Sequence, residues 1–418
     1  MCEAIGMAAV GWEIVDPLYY ERYGYPHASW AFLRAHAPVS WHEPQGMQAR
    51  PFWAITKHRD LETIARDAKR FKIAPRLAVF SHDRLREQRP TRDLLSMDPP
   101  EHGKYRGVMA SRFTPKVLER KREAIGGIVD ELLDAMMERS ELDFVESLAA
   151  IVPLAVINEM LGIPRPDWKR MFELSNTLLG AADPEYQQGA TTLETADRAR
   201  EEFFDYFRRL IEDRRRTPRD DFATVLTQAD VDGGPMPALE LLSYFILLIV
   251  AGNETTRNAT SGGLLALMEN RGELEKLRRD PSLVPAAVEE IVRWVSPVIQ
   301  FCRTPVEDVE ISGVRIRAGE PCCLFYPSAN RDEDVFADPF SFRVDRSPND
   351  HYAFGIGVHF CLGANLARME LQEIFRRLVP RLEEVELAGP VERMRSSFVG
   401  GIKRMPLRCR IGAARASA

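Results

Sequence analysis

The sequence contains no apolar run long enough to cross a bilayer. The longest, Leu241 to Gly252, falls well short of the ~20 residues a spanning helix needs, and Glu254 and Arg257 follow it at once. No membrane span is expected, and a buried core helix fits this stretch. The first residues, MCEAIGMAAVGWEIVD, carry no basic segment ahead of their apolar ones and include Glu3, so a signal peptide is not expected. Cysteine is scarce: Cys2, Cys302, Cys322, Cys323, Cys361 and Cys409 show no metal-ligand spacing, and the adjacency of Cys322 and Cys323 argues against a disulfide framework. A reducing cytoplasm is the expected compartment. An excess of positive charge is also lacking, since 56 Lys and Arg face 62 Asp and Glu, and nucleic acid is not an expected partner. Linker-like blocks and internal repeats are absent. One large domain over 17–412 follows, with an N-terminal extension over 1–16 and a disordered tail over 413–418.

What is present is mostly helical. Periodicity at helical spacing runs from Pro115 to Leu277, and strand-like stretches are few. Val39 to Trp41 and Phe52 to Thr56 read as strands, and Val309 to Ile316 around Gly313 reads as a hairpin that could join them in one small sheet. From Val385 the chain alternates Gly, Pro and apolar residues, as short strands and turns closing over something would. The fold class is mainly α with small β-sheets.

Three segments carry chemistry. Phe354 to Gly363 is a glycine-rich loop that delivers Cys361 to a helix start. Glycines let backbone approach a flat ligand, and free N–H groups at a helix start lower a thiolate's pKa. An iron-bound thiolate requires both. Pro237 to Met268 reads as one long helix, apolar almost all round in its first half, containing Ala251, Gly252, Asn253, Glu254, Thr255 and Thr256. A Thr hydroxyl there can bond the carbonyl four residues back, and with Gly252 this predicts a local opening, where an acid beside an alcohol can pass protons. Asp98, Pro99 and Pro100 predict a helix capped by Asp98, whose His102 and Arg106, four apart, can grip a carboxylate together.

The loop Phe354, Gly355, Ile356, Gly357, Val358, His359, Phe360, Cys361, Leu362, Gly363 matches the haem-binding signature of the cytochrome P450 family at every specified position. The likeness extends from about Pro17 to Leu407 and is weakest between Trp168 and Arg215, the stretch of the family's substrate-facing F and G helices. The resemblance implies the cytochrome P450 fold, with a long central I helix and a cysteine loop sandwiching haem b. Cys361 would ligate the iron, Gly363 would lie against the cofactor, and His102, Arg106, Arg303 and His359 would hold its propionates. Ala-Gly-x-acid-Thr-Thr resembles the family's oxygen-activation motif, in which Thr255 would steady bound oxygen and Glu254 would feed the proton relay. Glu290 and Arg293 resemble the family's structural Glu-x-x-Arg pair, with Arg343 or Arg346 as third partner, because Ser341 stands where many relatives have a basic residue.

The activity so implied is a haem-thiolate monooxygenase that inserts one oxygen atom of O2 into a hydrophobic substrate, steroid, terpenoid or fatty-acid-like. By analogy the pocket would be lined by Leu247, Val250, Ala251, Val298, Ile299, Phe398 and Val399. No flavin or iron–sulfur segment is present, so NAD(P)H-derived electrons would arrive through a ferredoxin and its reductase, docking on a basic surface of Arg106, Arg112, Lys116, Arg120 and Lys121. The rival readings are a peroxygenase driven by hydrogen peroxide, against which Glu254 and Thr255 argue, a haem protein that only binds or senses a ligand, and a haem-free lipid carrier.

Overall fold

The computed structural model describes residues 11–43, 50–79, 92–181 and 183–413. The expected N-terminal extension and tail, and Cys2, lie partly or wholly outside these residues. Within 1–16, however, Ile14 and Val15 are buried against Trp30 and Phe52, so this part of the expected extension packs into the core.

Helices dominate. Asp16 caps Pro17–Tyr23, its carboxylate accepting from the Leu18 amide at 2.9 Å. Thr191 caps Thr192–Arg216 in the same way, and Arg214, Arg215 and Arg216 in the last turn oppose the helix dipole. The central helix, Ala238–Glu269, has Pro237 just before its first turn. It packs on Ile151–Leu161, Val284–Val295 and Ala364–Arg381. By length and composition it could cross a membrane, which the shorter apolar run had not led us to expect; 61% of its most apolar stretch is buried inside the protein. The weakly resembling stretch forms Trp168–Leu179 and Thr192–Arg216, packed on each other.

The main sheet runs in the order Val39–His42, Phe52–Ile55, Cys322–Phe325, Gln300–Pro305, Phe71–Lys72. The expected hairpin is present as Val309–Ile311 and Val314–Ile316, with Ser312 and Gly313 in the left-handed region at φ 47° and 77°. It forms a separate two-stranded sheet, against the expectation that it joins the main one, because its strands pair only with each other among the described residues. The C-terminal strands Leu382–Leu387 and Pro406–Ile411 pair with each other, and the latter pairs with Glu141–Asp143, a short strand inside the stretch in which helical periodicity dominates. Between those strands the chain turns inward: Val399 bridges to Val298, and the Ile299 amide donates to the Phe398 carbonyl at 2.9 Å.

Candidate active site

The glycine loop is built as its composition requires. Gly355 and Gly357 have φ of 69° and 74°, and a Cβ on Gly357 would stand 2.5 Å from the Ala65 carbonyl oxygen. Beyond them the Cys361 amide donates to the Phe354 carbonyl at 2.8 Å, and the helix Ala364–Arg381 begins after Gly363. Cys361, Val358 and Phe360 keep accessible surface although the loop lies deep in the chain. A Cβ on Gly363 would meet nothing within 4 Å, so the backbone beside the thiol borders open space. The expected depression of the thiol's pKa is not what the fold produces. The protein packed around the open space beside the thiol raises that pKa, while the Gly363 amide and the charges of Arg106 and Arg368 pull it down.

Four basic groups from three elements gather at His359, two residues from the thiol: His102 and Arg106 on the helix Glu101–Ala110, Arg303 on Gln300–Pro305, and His359 itself in the loop. The His102 and His359 rings lie 4.3 Å apart. His359 is pushed down to about 2, by burial first and then by the charges of Arg303, His102 and Arg106. Burial likewise lowers His102 and Arg303. None of the four forms an ion pair with a carboxylate among the described residues; Arg303 Nη1 donates only to the Cys302 carbonyl, at 2.9 Å. Asp98, expected to cap their helix, instead accepts from the Ile73 amide at 3.0 Å and the Ala74 amide at 3.3 Å. Its carbonyl takes the His102 amide, and Pro100 precedes the helix. A cluster of unpaired bases next to an accessible thiol and a bare glycine backbone fits a flat, dianionic, metal-bearing cofactor.

On the central helix, Leu247, Val250, Ala251 and Thr255 share one face and retain accessible surface while Leu248, Ile249, Asn253, Glu254 and Thr256 are buried. The Thr255 hydroxyl donates to the Ala251 carbonyl at 2.9 Å, as its position predicts, and the helix continues past it to Glu269. A Cβ on Gly252 would stand 3.3 Å from Ile157, so this glycine permits close packing of the neighbouring helix. Glu254 is 1% exposed and ion-paired to Arg257 three residues on. Burial raises its pKa against the pull of Arg257. Arg257 in turn donates to Asn176 Oδ1 at 3.0 Å, tying the acid to the helix Trp168–Leu179. The sequence reading missed this partner, although the spacing of Glu254 and Arg257 on one helix face could have signalled it.

Of the other expected wall residues, Val298 and Phe398 are partly accessible, whereas Ile299 has no accessible surface and Val399 is 7% exposed. Ile299 packs instead among Trp30, Phe52 and Phe325, and Val399 bridges to Val298. Phe301, also partly accessible, was missed; its ring meets Phe398 edge-on at 5.5 Å. Glu290 and Arg293 form a fully buried pair, with Arg293 Nε 2.7 Å and Nη2 2.8 Å from the two carboxylate oxygens. Arg346 is the third partner, its Nε 3.1 Å from both oxygens of Glu290. Arg343 contributes only its amide, at 2.9 Å, and turns its side chain to Asp345.

The family model "Cytochrome P450" matches residues 46–397. The chain belongs to the cytochrome P450 family. A methyl-branched lipid omega-hydroxylase of Mycobacterium tuberculosis is 37% identical over 91% of this chain and 90% of its own length. A steroid C26-monooxygenase of the same organism is 36% identical over 94% and 91%. Among solved structures, a cytochrome P450 of Novosphingobium aromaticivorans superposes with a TM-score of 0.88 at 33% identity, covering 96% of this chain and 98% of that one. The fold is therefore the cytochrome P450 fold, and the protein is a monooxygenase of hydrophobic substrates that uses haem b, O2 and NAD(P)H-derived electrons supplied by redox partners.

Proposed function

We propose that Cys361 supplies the sulfur ligand of the haem iron, that Gly363 lies against the cofactor, and that His102, Arg106, Arg303 and His359 hold its propionates. The observation that carries this reading is the gathering of four basic side chains, none ion-paired to a carboxylate among the described residues, beside an accessible thiol. When bound, a thiolate-ligated haem supplies the splitting of O2 and the insertion of one oxygen into an unactivated C–H bond. The chain's own residues position the substrate and meter protons. Thr255 presents its hydroxyl toward the accessible face of the central helix, and Glu254, held by Arg257, is the acid next to it. Glu290, Arg293 and Arg346 serve as scaffold around a helix whose Ile291 and Val292 belong to the core cluster that Phe354 of the cysteine loop packs against.

Leu247, Val250, Ala251, Val298, Phe301 and Phe398 present an apolar wall, which favours an aliphatic or alicyclic lipid over a charged compound. Relatives named for a branched lipid and for a steroid support that class. For electron delivery we infer a ferredoxin docking on Arg112, Lys116, Arg120 and Lys121, all exposed. Free thiols at Cys302, Cys322, Cys323 and Cys409 suit the cytoplasm.

The test is a spectral titration of the ferric protein with branched fatty acids, terpenoids and steroids, followed by NADH-driven turnover with a ferredoxin and its reductase. Displacement of a distal water and a singly oxygenated product from at least one class are expected. Product formed with peroxide alone, and none with the redox partner, would replace this reading with the peroxygenase.

A further inference from the structure

On the side of the protein formed by the N-terminal helices, Arg331 is a buried cation with no carboxylate at ion-pair distance among the described residues. It is 2% exposed, its Nη2 donates to the Trp294 carbonyl at 2.9 Å, and its guanidinium lies 4.5 Å over the Trp294 ring. Its Nε and Nη1 are buried with no hydrogen-bond partner among the described residues. The carboxylates around it are all engaged elsewhere. Glu290 serves both Arg293 and Arg346, Glu333 pairs with Arg34, and Asp332 takes Lys57 and the His58 amide. Two guanidiniums thus share one carboxylate, and Arg331 has none within ion-pair distance among the described residues. An unpaired charge in this setting is costly unless something of opposite sign meets it.

Two further groups without a partner among the described residues lie close by. The Trp30 indole N–H is fully buried and makes no hydrogen bond to the described residues, and the same holds for Nδ1 of His27, whose ring lies 5.6 Å from that of Trp30. Arg331 is the charge that acts most strongly on His27, adding to burial in holding its imidazole neutral. Tyr25 packs on both rings, at 5.8 and 5.9 Å, but its hydroxyl is spent on the Ser296 carbonyl at 3.0 Å.

We propose that Arg331, Trp30 and His27 bind a small inorganic anion of halide size, chloride in the cell, between the helix His27–His36 and the end of the helix Val284–Val295. The donor set selects such an ion. A guanidinium and an indole N–H only donate, and a neutral imidazole can do so from Nδ1. A halide only accepts, whereas a water molecule there would need acceptors for its own protons. His27 is half-buried while Arg331 and Trp30 are closed off, so exchange with solvent passes the imidazole. The bound charge would offset the surplus of guanidinium around Glu290 and so brace the scaffold from behind.

The test uses the haem-loaded protein. Crystals grown with bromide in place of chloride should give an anomalous peak at the bromine edge in contact with the Arg331 guanidinium. In solution, the thermal midpoint should climb as chloride replaces gluconate at equal ionic strength. Arg331→Leu should abolish that dependence, and Trp30→Phe, which removes one N–H and keeps most of the ring, should weaken halide binding about threefold to tenfold. A map showing water, or a carboxylate of the chain itself, in place of bromide overturns the proposal. So does a chloride dependence that is unchanged in Arg331→Leu. Should that variant not fold, the wild-type bromide map decides alone.

Discussion

Cys361 lies between two opposing influences: burial favours the neutral thiol, while the Gly363 amide, Arg106 and Arg368 favour the thiolate that a metal needs. For Cys361→Ser we expect the reduced carbon monoxide adduct to lose the red-shifted Soret band of a sulfur-ligated haem; a band at the wild-type position would remove Cys361 from its role. In Thr255→Ala the Ala251 carbonyl loses its side-chain partner and the alcohol is gone, so NADH consumption should persist while peroxide rises and product per NADH falls. Unchanged coupling would take Thr255 out of the reaction. A third prediction concerns Glu370, a buried carboxyl on the helix after Cys361 whose Oε2 has no partner and whose pKa burial pushes up to about 8. The folded state favours its protonated form. The stability this confers is complete below the ordinary carboxylate range and is lost as pH rises toward about 8. Urea midpoints of the native chain should therefore fall across this window more steeply than those of Glu370→Gln, and parallel curves would contradict the assignment.

At the scale of elements, two constructions tie the loop and its scaffold together. Gly357 can exist only without a side chain, since φ is 74° and a Cβ would press on the Ala65 carbonyl. Gly357→Ala should distort the loop and release haem, read as a lower ratio of Soret to protein absorbance after gel filtration. The Glu290–Arg293–Arg346 network joins the helix Val284–Val295 to the segment before the loop, with Arg346 also donating to the Ala337, Asp338 and Ser341 carbonyls. Removing one partner of such a buried network strands the others, and Arg346→Leu should cost roughly 3–5 kcal/mol in denaturant unfolding. A loss under ~1 kcal/mol would mean that the Arg343 amide and Asn349 suffice to satisfy Glu290.

Across the whole molecule, a net charge of -6 coexists with an exposed basic patch at Arg112, Lys116, Arg120 and Lys121, of which Lys121 lies 3.7 Å from Glu159. Field strength depends on local arrangement rather than on the total. The double substitution Lys116→Glu with Arg120→Glu should slow reduction by a ferredoxin roughly tenfold at low salt and flatten its salt dependence, since steering of this kind changes association rates by 10-fold or more. Equal reduction rates in stopped-flow measurements would place the docking face elsewhere.

Much of this protein is legible in the sequence because it rests on local rules. A glycine loop ending in Cys361, an apolar stretch too long for an ordinary surface helix, and the hairpin at Ser312 and Gly313 each follow from backbone freedom and periodicity within a few residues. What the sequence left open are choices between distant groups. Whether Arg343 or Arg346 completes the Glu290 network depends on which chain segments meet in space, and for the same reason the sequence misplaced Asp98 as a helix cap and counted the fully buried Ile299 among the wall residues. The raised pKa of Cys361 belongs to the same class: helix-start amides are local and readable, but burial is a property of the assembled fold, and here burial is the larger effect.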